Sequence, residues 1–189
     1  MQFLCLLIVS ILSPREAFRG LLAAAPTRGA LTKSMELKDT LFEVLERDPN
    51  FSTFASLLSG VPELKVALGD SNIGATGNIF TVFAPNNAAF AKLDKQIMFN
   101  LGKRDNLPIL RKVVRFHFVE AVLSRDDILE LKELPTLALM PVSIKPVQGD
   151  NNFRLNEASV VRTLEACSNG IVHEVDALLS PFLLFRYLV

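Results

Sequence analysis

The residues of this chain whose types and spacing could do chemistry are few. The segment NGIVHEVDALLSP, residues 169–181, sets His173 in an apolar run with Asp176 three positions on, and His117 is the one other histidine. An imidazole near a carboxylate can act as a general base, ligate a metal or serve as a buried hydrogen-bonding peg. A hydrolase needs a nucleophile oriented by such a base, yet no serine sits in a glycine-flanked elbow. Cys167 falls in a strand pattern and makes no plausible nucleophile. His117, His173 and Asp176 have the residue types of a three-ligand metal site. In an extended strand, however, residues three apart point to opposite faces, so His173 and Asp176 share a site only if the chain turns between them. The structural reading is therefore adopted, and no catalytic residue, metal or cofactor is assigned. A buried imidazole must have its polar atoms bonded, because an orphaned one costs about 1–3 kcal/mol. Asn86, Asn87 and Asp176 are side chains able to do that, so His173 and Asp176 are expected to tie the last strand to the loop after Pro85.

The chain that must position these residues has 189 residues, half of them hydrophobic, enough for one domain with a proper core. Its 20 basic and 20 acidic side chains balance, so nothing points to nucleic acid or an anionic membrane. Cys5 and Cys167 are the two cysteines; with Cys5 in a removable leader, the mature core has no internal disulfide.

That leader is expected at residues 1–17, where FLCLLIVSIL is too short to span a bilayer but suits a secretory signal. Residues 18–36 form either a basic linker or a transit-like segment, with Arg19, Arg28 and Lys33 and no acidic residue before Glu36. The Ala17-Phe18 junction resembles the signal-plus-transit leaders of algae whose plastids lie inside the secretory system. Residues 37–182 form the domain, and 183–189 an apolar tail. The run FLLFRYLV is too short for a membrane anchor, and either packs back on the domain or serves weak self-association. Asn50-Phe51-Ser52 is the one glycosylation sequon, and Asn50 could equally cap a helix beginning at Phe51.

Apolar spacing predicts helices over about residues 36–47, from Phe51 to Gly60, and over 61–68. A glycine-rich stretch at 69–77 lacks the lysine ending of a phosphate loop and reads as a surface loop. A strand at 79–84 stops at Pro85, after which Asn86 or Asn87 caps a helix from Ala88. Pro108 opens a helix with Leu110, Val113 and Val114 on its apolar side and Arg111, Lys112 and Arg115 on a basic face. Such a face could touch acidic polysaccharide, although three cations on a helix are more often simply solvated. Ser124 and Asp127 form a capping box for a helix over 126–131. The period then becomes two: Val142, Ile144 and Pro146 alternate with Ser143, Lys145 and Val147, a turn at 149–152 leads into 153–156, and strands follow at 160–166 and 171–175. Helices followed by antiparallel hairpins describe an α+β domain.

Two stretches then resemble a known family. TVFAPNNAAF, with Thr81, Phe83, Ala84, Pro85, Asn86, Asn87 and Phe90, resembles the first signature of fasciclin-type domains. Asn169, Gly170, His173 and Asp176, followed by Leu179 and Pro181, resemble the second, and Phe116-His117 stands where the family usually has a tyrosine–histidine pair. The resemblance implies a compact β-wedge of short strands with helices packed around it. It also implies non-catalytic adhesion to an extracellular protein or to a matrix or cell-wall polysaccharide by a secreted domain; the leader leaves open the alternative of a plastid- or organelle-targeted protein that holds a small ligand or assists an assembly. Two departures bear on receptor binding: Phe116 lacks the tyrosine hydroxyl, and Leu164-Glu165 replaces the Asp-Ile pair linked to integrin adhesion in animal members.

Overall fold

The computed structural model describes residues 39–69, 79–147, 152–164 and 167–181. The leader, the glycine-rich loop at 70–77, most of the turn at 149–152 and the tail lie outside the described residues.

Helix α1 (Leu41–Arg47) opens at Thr40, whose hydroxyl accepts from the Glu43 N–H while the Glu43 carboxylate accepts from the Thr40 N–H at 2.7 Å. This capping box places the start at Leu41, later than the expected residue 36, because it consumes the first free amides of the helix. A 3₁₀ turn at Pro49–Phe51 leads into α2 (Ser52–Leu58), and α3 (Pro62–Gly69) follows. Strand β1 (Phe80–Pro85) is buried along its whole length. Asn86 then caps α4 (Asn87–Ala91) by accepting from the Ala89 N–H at 2.9 Å.

Helix α5 (Lys95–Leu101) has no counterpart among the sequence expectations. It is short, and its cap is Asp94, which accepts from the Gln96 N–H at 2.7 Å. Helix α6 (Leu107–Arg115) buries Leu110, Val113 and Val114 and exposes the basic residues, as its periodicity implied. Strand β2 (Phe118–Val119) and the capping-box helix α7 (Arg125–Leu129) come next, the helix starting and ending slightly earlier than expected. Strands β3 (Glu133–Pro135), β4 (Pro141–Pro146), β5 (Phe153–Leu155), β6 (Ala158–Leu164) and β7 (Gly170–Val175) complete the order. Val142 and Ile144 point inward, but Pro146, expected with them, is exposed at the strand's end. Cys167 is buried beyond the end of β6 and not within a strand.

The strands form one sheet in the order β2-β1-β7-β6-β5-β4-β3. Strands β1 and β7 pair in parallel, from Phe80 opposite Gly170 to Pro85 opposite Val175, and every other pair is antiparallel. Hairpin reasoning anticipates only the antiparallel pairs, because a parallel pair needs a crossover and here the chain between β1 and β7 supplies it. The Leu137 N–H donates to the Phe118 carbonyl at 2.8 Å, drawing the β3 end of the sheet toward the β2 end. The product is the wedge-shaped α+β architecture with packed helices.

The central pair is covered on both faces. Phe80, Val82 and Ala84 of β1 face a core shared with Leu41, Phe54, Leu58 and Leu68 of the helices. Phe83 faces a second core inside the wedge with Phe116, Val142, Phe153, Leu155 and Val175. Full burial of one such phenylalanine stabilises the fold by roughly 1.5–3 kcal/mol.

Candidate functional site

His117, His173 and Asp176 do not form a common site. The His173 ring lies inside the wedge, stacked on Phe83 at 5.5 Å between centroids and edge-on to Phe153 at 5.9 Å. Its Nε2 lies 3.1 Å from the Leu123 carbonyl oxygen and its Nδ1 lies 2.9 Å from Thr163 Oγ1. A carbonyl can only accept, so Nε2 carries the proton and Nδ1 accepts from the threonine hydroxyl. The expected tie to the loop after Pro85 is therefore corrected for His173, whereas Asp176 reaches the segment that follows Pro85 through Lys92. Side chains alternate along β7, so His173 faces the wedge while that loop lies on the helix side.

His117 has the opposite tautomer. Its Nε2 accepts from the Leu179 N–H at 3.0 Å, so Nδ1 donates to the Val113 carbonyl at 2.8 Å. The ring packs against Phe54 at 5.4 Å. Burial pushes both imidazoles down from the ordinary value of 6.5 to about 4; the backbone carbonyl bonds oppose this, and the Arg125 charge adds to it at His173. Both are neutral pegs with both ring nitrogens engaged, and among the described residues no group of three His, Cys, Asp or Glu side chains could hold a metal.

The second signature clamps the helices. Asn169 is wholly buried; its side-chain oxygen accepts from the Leu41 N–H and its amide donates to the Leu68 carbonyl, each at 2.8 Å. One side chain thus satisfies the first turn of α1 and the end of α3. Gly170 follows because a Cβ there would lie 1.9 Å from the Phe80 carbonyl oxygen and 2.8 Å from a Leu41 methyl.

The first signature does the complementary work. Thr81 donates to the Ala121 carbonyl at 2.7 Å and accepts from the Leu123 N–H at 2.9 Å, so Thr81 and His173 together stitch the irregular segment 121–123 to the central strands. Asn86 caps its own helix and donates to Glu174 at 2.8 Å, which makes Glu174 the side chain that ties β7 to the loop after Pro85. Asn87 caps α2 from a distance, accepting from the Thr53 N–H at 3.1 Å and donating to the Pro49 carbonyl at 2.8 Å. Asn50 was an expected cap of that region; instead Asp48 accepts from the Asn50 N–H and Asn87 reaches the helix start, leaving Asn50 exposed. Phe83, Ala84, Phe90 and Phe116 are buried core residues, and Pro85 and Pro181 are buried too.

Asp176 sits past the end of β7, accepting from the Ser159 N–H at 2.7 Å and from Lys92 at 3.4 Å. Sequence reasoning missed Arg162, whose guanidinium joins Glu174 to Asp48 and lies over the Phe51 ring at 5.7 Å. Glu174 is nearly buried among apolar neighbours in the sequence, and a buried carboxylate demands such a partner, which is the signal that could have found it. Asp48 titrates below the usual carboxylate range: burial works against this, but the Asn50 N–H and Arg162 outweigh it.

The signature residues are thus consumed by internal bonding, and what the fold presents to solvent is surface. Comparison with known proteins gives the same lineage as the geometry. A Synechocystis protein, sll1735, is 26% identical over 136 residues, spanning 72% of this chain and 93% of that protein. The immunogenic protein MPB70 of Mycobacterium bovis is 28% identical over 160 residues, spanning 84% of this chain and 77% of that one. Among solved structures, a FAS1 domain pair from fasciclin I, an insect cell adhesion molecule, superposes with a TM-score of 0.64 at 19% identity, over 76% of this chain and 51% of that one. Residues 49–181 match the family described as Fasciclin domain, and the chain belongs to that family.

Proposed function

We propose that this protein is a secreted, non-catalytic binding domain that mediates adhesion to a matrix, a cell-wall polymer or a partner protein through its surface. The observation that carries the reading is the internal use of the signature: His117, His173 and Asn169 are fully buried and bonded within the fold, so the residues most able to do chemistry act as pegs. The fold it shares with an adhesion molecule supports the same reading. No helix among the described residues is long and apolar enough to cross a membrane.

The test is binding of the purified full chain to immobilised wall and matrix polymers and to a surface extract of its own cells. Saturable retention that survives substitution of His173 by phenylalanine supports adhesion. Failure to bind any of these, together with a small molecule that copurifies with the natural protein, overturns it. The Ala17-Phe18 junction motivates a second reading, residence in a plastid reached through the secretory pathway. Sequencing the amino terminus of the natural protein after cell fractionation separates the two: a start near Phe18 outside the cell fits secretion, and a start near Met35 within an organelle fits the plastid.

A further inference from the structure

The surface is not electrically uniform although the chain carries no net charge. Between residues 95 and 115 stand Lys95, Lys103, Arg104, Arg111, Lys112 and Arg115, all exposed, against the single acid Asp105. Helices α5 and α6 pack on each other through Ile97, Leu101, Ile109 and Val113, which leaves their polar sides and the bend between them facing outward. Arg111, Lys112 and Arg115 fall within about 100° of arc on α6 and rise about 6 Å along its axis. Lys103 and Arg104 lie in the bend just before it. Of the six cations, only Arg111 makes an ion pair among the described residues, with Glu63 at 3.5 Å, both side chains half exposed. On α5, Phe99 is 65% exposed, with the Lys103 ammonium 4.9 Å from its ring centre.

We infer that this α5–α6 corner is a docking surface for an acidic polysaccharide, a linear chain bearing sulfate or carboxylate groups. The inference rests on the adhesion reading and names the chemistry of its ligand. Arginine pairs bidentately with such anions, and an exposed aromatic face can cover the C–H side of a sugar ring. A neutral chain has no long-range pull on a polymer as densely charged as DNA, whereas a local row of cations suits a flexible acidic polymer that follows it. The nearby acids Glu63, Asp94 and Asp105 limit the row and give the surface a boundary.

The experiment is equilibrium binding of the full chain to heparin (sulfated), polygalacturonate (carboxylated), dextran (neutral) and single-stranded DNA at equal charge, between low and high salt. The wild type is expected to bind heparin or polygalacturonate, not dextran, with affinity falling as salt rises. An exposed cation–anion contact changes affinity roughly 1.5- to 5-fold, so the triple variant Arg111→Gln, Lys112→Gln, Arg115→Gln should lose about tenfold. Phe99→Ala should weaken binding with little change in its salt dependence. Lys132→Gln with Lys145→Gln, which removes exposed cations elsewhere, should change nothing. Thermal melting of each variant separates lost binding from lost folding. The assignment is overturned if the triple variant, still folded, binds as the wild type does, if neither acidic polymer is retained at low salt, or if DNA binds as tightly as they do. Retention of a neutral polymer or a protein by both forms would leave adhesion standing while removing this surface from it.

Discussion

The two faces of the central β1–β7 pair are pinned by different chemistry. On the helix face the pins are amides and one ion-pair network: Asn169 holds α1 and α3, Asn87 holds α2, and Arg162 joins Glu174 to Asp48. On the wedge face they are hydroxyls and an imidazole, Thr81, Thr163 and His173, while the second imidazole, His117, packs on Phe54 on the helix side. Amides do not titrate, and Asp48 titrates below the usual carboxylate range. Both histidines titrate at about 4 when folded. Mild acid therefore acts on the two imidazoles, one inside the wedge and one on the helix side, and leaves the amide pins untouched.

The largest effect expected is that acid response. Each histidine binds its proton at about 6.5 when unfolded and at about 4 when folded, so the unfolded chain holds more protons between these values. The contribution is complete above pH 6.5, declines as pH falls, and is gone below about 4; it is on the order of 3 kcal/mol per histidine. Melting temperature measured from pH 7 to 4 should fall steeply, and His117→Phe or His173→Phe should each remove about half of the slope. A slope unchanged in both variants would falsify the assignment of the response to these rings.

Next in size is Gly170→Ala. The added Cβ meets backbone, which cannot move aside without parting β1 from β7, so a loss of about 4 kcal/mol or more is expected at any pH. Denaturant unfolding of a variant that melts like the wild type would show that the strand pair can yield there.

Smaller effects compare the two imidazoles at pH 7. His117→Phe leaves the Leu179 N–H without its acceptor, whereas His173→Phe leaves the Leu123 carbonyl without its donor. Orphaned buried N–H groups are the more costly, so His117→Phe should lose about 2–3 kcal/mol and His173→Phe about 1–2. Equal or reversed losses by chemical denaturation would overturn that ranking. The smallest change is Asn87→Ala, which removes the distant cap of α2 at a cost of about 1 kcal/mol, seen as a drop of roughly 2–4 °C with no added pH dependence.

Much of this arrangement was legible from local signals, and the misses share one cause. The capping box at Ser124, the stop at Pro85 and the apolar side of α6 are read from neighbours within four positions, which is the range over which a helix or cap is decided. Helix α5 was missed because a single helix of seven residues offers too little periodicity beside its aspartate cap. Both histidines are buried and bonded within the fold, and the partners of His173 are not the ones its motif suggests. The sequence places Asn86 and Asp176 near His173 by motif, but Thr163 reaches it only through the β6–β7 pairing, and Leu123 only through a loop held by Thr81.

What the sequence determined by itself was most of the elements and the tight turn leading into the last strand, since these follow from spacing, polarity and turn chemistry. What only the tertiary structure decided was the parallel pairing of β1 with β7, the tautomer of each histidine, the exchange of roles between Asp176 and Glu174, and the gathering of cations at the α5–α6 corner. Those depend on which distant segments meet, and a hydrogen bond between residues far apart in the chain leaves no trace in the local pattern of either.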